Sequence, residues 1–310
     1  MTTLFTFPGQ GSQHEGMLRA LPRTAIVADV LSEASGVLGR DALALDTADA
    51  LRGSVATQLA LLVAGVACAR QLMQEAGAPD AVAGLSIGAY AAAVCARVIA
   101  FADALRLVDL RARLMAAAWP AGYGMSAILG LDVATVTSLI AEVHSPASPV
   151  FLANLNAPTQ LVIAGSRAAM VRVGLLAMAR GASVAPLAIA TPSHCALLEP
   201  QARQLAEAMA GVARSAPRIE VYSASLARVV RDPAGLVDDL ARNLARPVLW
   251  HDTLTLAHER GVRLAVEMAP GDVLTRLATA AFPESVAVAA SGTRADSIAL
   301  LMARERRRGA

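Results

Sequence analysis

Ala81-Val82-Ala83-Gly84-Leu85-Ser86-Ile87-Gly88-Ala89 decides how this chain is read. An apolar run enters a Gly-x-Ser-x-Gly turn, and a helix-prone stretch, 89–96, leaves it. Strand, sharp turn and helix together present a serine as a nucleophile. The glycines let strand and helix pass close to each other, and the helix N-terminus points its N–H groups at charge developing on an attacked carbonyl. The competing reading is a tight turn whose serine caps the next helix, so the rest of the chain must decide.

Moving outward, 3–7 reads as a buried strand broken by Pro8-Gly9-Gln10-Gly11, and 55–70 as a buried helix. The segment 101–119 has helical periodicity. After Pro120-Ala121-Gly122 the texture changes: strand 125–131, helix 132–143, strands 150–155 and 160–164, helix 168–180 and strand 183–189. That β-α-β-β-α-β order is ferredoxin-like. Strands at 219–224, 262–268 and 286–290 then alternate with helices at 197–210, 236–245, 252–260 and 271–281. The fold expected is α/β: an α/β-hydrolase-like body with a parallel sheet, built from 1–123 and 191–310, with a ferredoxin-like subdomain, 124–190, inserted in it.

Composition agrees. Residues are 55% hydrophobic but only 3% aromatic, so the core must be built from Ala, Leu and Val, which suits helices packed closely on a parallel sheet. A net charge of +2 gives no electrostatic reason to expect nucleic acid. Cys68, Cys95 and Cys195 lack metal-ligand spacing and fit a reducing compartment, so a cytoplasmic protein without bound metal or cofactor is expected. The N-terminus lacks signal-peptide architecture. The uncharged stretch 53–69 is short for a membrane span and contains Gln58, so it reads as a core helix and no membrane association is expected. The basic residues Arg304, Arg306, Arg307 and Arg308 read as a solvated, frayed end.

Acyl transfer through serine needs a base, an oxyanion hole and a group that selects the acyl chain. Of the five histidines, His144 lies in a Ser/Pro loop and His258 in a polar helix, and both read as exposed and idle. His194 lies in Thr191-Pro192-Ser193-His194-Cys195, between strand and helix, where α/β folds place active sites. It is the candidate base, against a structural or capping role. On the helix 101–119, Phe101, Ala104, Val108, Met115 and Trp119 share one face. Arg111 falls within that apolar stripe. A buried guanidinium needs a partner. Periodicity alone favours an internal carboxylate, with a substrate carboxylate held bidentately as the alternative.

The motifs together resemble the malonyl-CoA:acyl-carrier-protein transacylase family. Phe7-Pro8-Gly9-Gln10-Gly11-Ser12-Gln13 is similar to its N-terminal signature, and Gly84 to Tyr90 to its nucleophile motif. Leu110 to Met115 resembles its arginine helix, Asn154-Leu155-Asn156 its Asn-x-Asn strand, and Pro192 to Leu198 its histidine motif. Arg246-Pro247-Val248-Leu249-Trp250 and Glu267-Met268-Ala269-Pro270-Gly271 fall where related segments fall. The resemblance implies Ser86 as nucleophile and His194 as its base, without the usual carboxylate. It implies a backbone carbonyl near Leu249 orienting the imidazole, and Gln10 with the Ile87 N–H as oxyanion hole. Arg111 would bind the malonyl carboxylate, and Asn154 and Asn156 would order the cleft. Malonyl-CoA would be the donor and the prosthetic thiol of an acyl carrier protein the acceptor.

Two positions depart from the family pattern. Leu85 stands where it usually has His, and Ala89 where it has Glu. The resulting Gly-Leu-Ser-x-Gly-Ala resembles the transacylase (epsilon) subunit of bacterial malonate decarboxylase, whose other subunits would then be partners. Malonyl transfer for fatty-acid synthesis is the alternative. A serine esterase or thioesterase expects its histidine late, after an acid-bearing strand, and His251 and His258 do not fit. A scaffold that has lost its activity is disfavoured by the joint presence of Ser86, His194, Arg111 and Gln10.

Overall fold

The computed structural model describes residues 2–119 and 121–309. Before the insert come β1 (Thr3–Phe7), α1 (Ala25–Leu38), α2 (Ser54–Ala76), β2 (Ala81–Gly84), α3 (Gly88–Cys95) and α4 (Phe101–Ala118). The insert holds β3 (Tyr123–Leu129), α5 (Val133–Val143), β4 (Val150–Ala157), β5 (Gln160–Ser166), α6 (Arg167–Met178) and β6 (Ser183–Pro186). After it come α7 (Glu199–Met209), β7 (Glu220–Ser223), β8 (Arg228–Val230), α8 (Pro233–Arg242), α9 (Trp250–Glu259), β9 (Leu264–Glu267), α10 (Val273–Ala281), β10 (Val286–Ala289) and α11 (Ala295–Gly309).

The body sheet has the order β10-β9-β1-β2-β7-β8. Its pairings are parallel except at the edge, where β8 returns antiparallel to β7. Both faces are covered, so β1 and β2 are buried at every position and show no alternation. Phe5 and Phe7 enter one core and Leu4 the other. The order is possible only because β2, before the insert, pairs with β7, after it. The insert forms its own antiparallel sheet, β4-β5-β3-β6, with α5 and α6 packed on one face through Val136, Leu139, Val173 and Ala177. Its other face looks toward the body.

α2 is the one described helix long and apolar enough to cross a membrane, and 83% of its most apolar window is buried inside the protein. It packs against α1, α3, α4 and α11. Two of these neighbours lie outside the sequence expectation. Thr24 caps the start of α1, and Gly39, at φ 65°, ends it. The basic C-terminal segment is not frayed: it belongs to α11. There Ile298, Met302 and Glu305 share a helical face and are buried, and Arg306 donates to the Ala76 carbonyl at the end of α2 (2.7 Å).

The turn after β2 is tight. A Cβ on Gly84 would lie 2.1 Å from the Gly88 carbonyl carbon, and one on Gly88 would lie 2.1 Å from the Phe7 carbonyl oxygen. No side chain fits at either position. The chain between them forces Ser86 to φ 56°, a left-handed conformation that costs a non-glycine residue on the order of 1 kcal/mol or more.

Candidate active site

Ser86 caps neither end of α3 with its side chain. Its Oγ lies 2.7 Å from His194 Nε2. His194 is itself left-handed, at φ 63°, and its own N–H donates to the Leu244 carbonyl (2.8 Å). The ring Nδ1 faces two main-chain carbonyls, Asn243 at 2.8 Å and Arg246 at 3.2 Å. Carbonyls only accept, so Nδ1 carries the hydrogen and Nε2 presents its lone pair to the serine. Burial first, and then the Arg111 charge, pull the imidazole down to about 4, against a partial upward pull from the two carbonyls. It is therefore neutral at physiological pH and free to take a proton.

The carbonyl of Leu249 does not perform the orienting role expected of it. It opens α9, accepting from Thr253 N (3.0 Å) and Thr253 Oγ1 (2.7 Å). The orienting carbonyls lie just beyond α8, in the short 3-10 turn Asn243–Ala245 and at Arg246 after it; the Asn243 carbonyl also receives the Arg246 N–H at 3.4 Å.

Arg111 is 1% exposed. It finds no carboxylate among the described residues, contrary to the internal ion pair that periodicity favoured. Its Nη2 lies 3.2 Å from Ser86 Oγ and 3.4 Å from Asn243 Oδ1, and its Nη1 donates to Gln58 Oε1. Burial lowers its pKa, while the starting value is high enough to keep it a cation.

These groups open into a cavity of about 220 Å³ between the ends of β1 and β2 and the inner face of the small sheet. Gln10, on the turn after β1, and Ile87, at the start of α3, line one side. Asn154 and Asn156 line the other, each with a buried Oδ1 lacking a partner. Asn154 also sits in the bridge that joins the two domains: Leu155 N–H donates to the Val248 carbonyl, and Val248 N–H to Ala153, both at 2.8 Å. Met115, Met125, Leu187 and Leu274 supply apolar wall. Among the described residues no cluster of His, Cys, Asp and Glu could hold a metal.

His144 and His258 stand apart from the cavity but are not idle. His144 Nδ1 bonds with the Val150 main chain, and His258 stacks on Phe282, with ring centroids 4.2 Å apart. Sequence reasoning did not reach Gln58 and Asn243. Gln58 stands out in the sequence only as an amide inside the apolar stretch 53–69, where it argues against a membrane span and not for a place in the site. The Asn243 main-chain carbonyl carries no sequence signal, because every residue has one.

Residues 4–307 match the model of the acyl transferase domain family. The malonyl CoA-acyl carrier protein transacylase of Salmonella typhimurium is 42% identical over 280 residues, covering 88% of this chain and 90% of that protein. The Bacillus subtilis protein of the same name is 34% identical, covering 88% of each. Among solved structures, the acyl-carrier-protein S-malonyltransferase of Burkholderia pseudomallei superposes with a TM-score of 0.92 at 41% identity, over 97% of this chain and all of that one. A malonyl-transacylase solved with its type II polyketide acyl carrier protein superposes at 0.90 with 38% identity, over 97% and 99% of the chains.

Proposed function

The chain belongs to the acyl transferase domain family, and from that premise we propose that it moves a malonyl group from malonyl-CoA to the thiol of an acyl carrier protein. Ser86 Oγ attacks the thioester carbonyl while His194 Nε2 takes its proton. The tetrahedral oxyanion is met by the Ile87 N–H and Gln10. Collapse breaks the C–S bond, His194 returns the proton to the departing CoA sulfur, and a malonyl-serine remains. The carrier thiol then enters by the reverse path, with His194 as base again.

The observation that carries this reading is the position of Arg111 beside the nucleophile. In a malonyl group a single methylene separates the carboxylate from the thioester carbonyl. A guanidinium 3.2 Å from Ser86 Oγ can hold that carboxylate while the carbonyl sits at the serine. A site built to pair a charge rejects an acyl group lacking it. The test is a malonyl-CoA pulse followed by intact-mass measurement, then addition of carrier. A malonyl adduct lost in Ser86→Ala, and cleared onto the carrier rather than to free malonate, is expected. Release of malonate irrespective of carrier indicates a hydrolase instead.

Leu85 and Ala89 favour a second, finer reading, the transacylase subunit of a malonate decarboxylase. Competition between the carrier of that complex and the fatty-acid carrier distinguishes the two: preferential malonylation of the former supports the finer reading.

A further inference from the structure

Among the described residues, everything that touches the Arg111 guanidinium is neutral. Gln58 Oε1 accepts from Nη1, and Asn243 Oδ1 and Ser86 Oγ accept from Nη2. The Tyr90 ring lies 6.0 Å from the guanidinium carbon, and Nε is buried without an acceptor. Neither amide is loosely placed. Gln58, 1% exposed on α2, anchors its Nε2 on Ser54 Oγ (2.9 Å) and against Met115 Sδ (3.6 Å). Asn243 anchors its Nδ2 on the Ser86 carbonyl (3.2 Å). Arginine only donates, so each amide oxygen must face it, and this fixes both side-chain orientations.

We propose that Gln58 and Asn243 are positioning residues for acyl selection: a neutral amide clamp that aims the guanidinium without neutralising it. A carboxylate in either place would aim Arg111 equally well. It would also supply the counter-ion that a buried cation demands, and the incoming acyl carboxylate would then meet a closed pair. With amides in both places, the substrate supplies the only opposite charge. The clamp rests on the reading of Arg111 given above and adds to it what keeps that arginine unpaired.

Gln58→Glu and Asn243→Asp test the clamp. Each preserves shape, and Asn243→Asp keeps the main-chain carbonyl that orients His194. Each new carboxylate beside Arg111 is expected to stay ionised, because a cation within contact favours the charged form. The measurement is kcat/KM for malonyl-CoA and for acetyl-CoA in wild type and variants, with thermal melts to verify folding. The malonyl-to-acetyl ratio is expected to fall at least roughly tenfold in each variant, mainly through a higher malonyl KM. Gln58→Met, uncharged and of similar size, is expected to keep malonyl preferred and guards against a folding defect at this site. A purely structural role would lower both acyl groups alike, and that result overturns the clamp. So does an unchanged ratio in folded variants of an enzyme whose wild type takes malonyl. A wild type that takes no malonyl onto Ser86 overturns the proposed function itself.

Discussion

Arg111 Nη2 lies 3.2 Å from Ser86 Oγ, so the selecting cation and the nucleophile form one hydrogen-bonded unit. Arg111→Ala should therefore lower kcat/KM for malonyl-CoA by roughly 10²–10³-fold, the scale of losing a buried charge-assisted contact of about 3–4 kcal/mol. Acetyl-CoA should become the better donor. Parallel acylation assays with the two thioesters check this, and malonyl transfer surviving intact would remove Arg111 from the role.

The depressed His194 imidazole sets the acid limb of the rate profile. With the ring held near 4, kcat/KM for malonyl-CoA should be flat from neutral pH down to about 5 and fall as pH drops through about 4. A limb near 6.5 would mean that the ring is solvated.

The same shift bears on stability. The folded ring sits at about 4 against an ordinary 6.5, so between those values the unfolded chain binds more protons. Stability then rises with pH across that window and is lost as pH falls from 6.5 toward 4. The total is on the order of 3 kcal/mol. Urea unfolding of wild type and His194→Gln at pH 4, 5.5 and 7 measures it, and the variant should lack this part of the slope.

Gly84→Ala should be among the most damaging single substitutions. Its Cβ would lie 2.1 Å from backbone at Gly88, and backbone cannot rotate away as a side chain can. A loss of about 3 kcal/mol or more, or failure to fold, is expected. A melting temperature within a few degrees of wild type would contradict the close approach.

Thiol reagents should spare the enzyme. Burial pushes Cys68 up to about 11 and Cys95 and Cys195 up to about 12, leaving little thiolate at pH 7.5. Iodoacetamide should leave the native protein unmodified for hours and label it once denatured, as followed by intact mass.

Much of this was legible in the sequence because it is local. The inward Arg111 follows from spacing within one helix, and the Gly84–Gly88 turn and the β-α-β-β-α-β order from the succession of elements next to one another in the chain. α1 was missed although Thr24 and Gly39 mark its ends, because its hydrophobic periodicity is diluted by alanine and serine. The tail was misread because charge density outweighed the Ile298, Met302 and Glu305 spacing. The carbonyls that orient His194 were invisible for a deeper reason. They belong to the main chain, and only the path taken after α8 determines which of them meet the ring. The neutrality around Arg111 is likewise a property of three elements brought together, not of any one.

Ser86 stands 108 positions before His194, and the small subdomain occupies most of that interval. The nucleophile comes from the half of the body before the insert; its base, and the Leu244, Asn243 and Arg246 carbonyls that hold it, come from the half after it. The discontinuous topology thus divides the dyad between the two halves of the body, and neither half alone presents a serine together with its base.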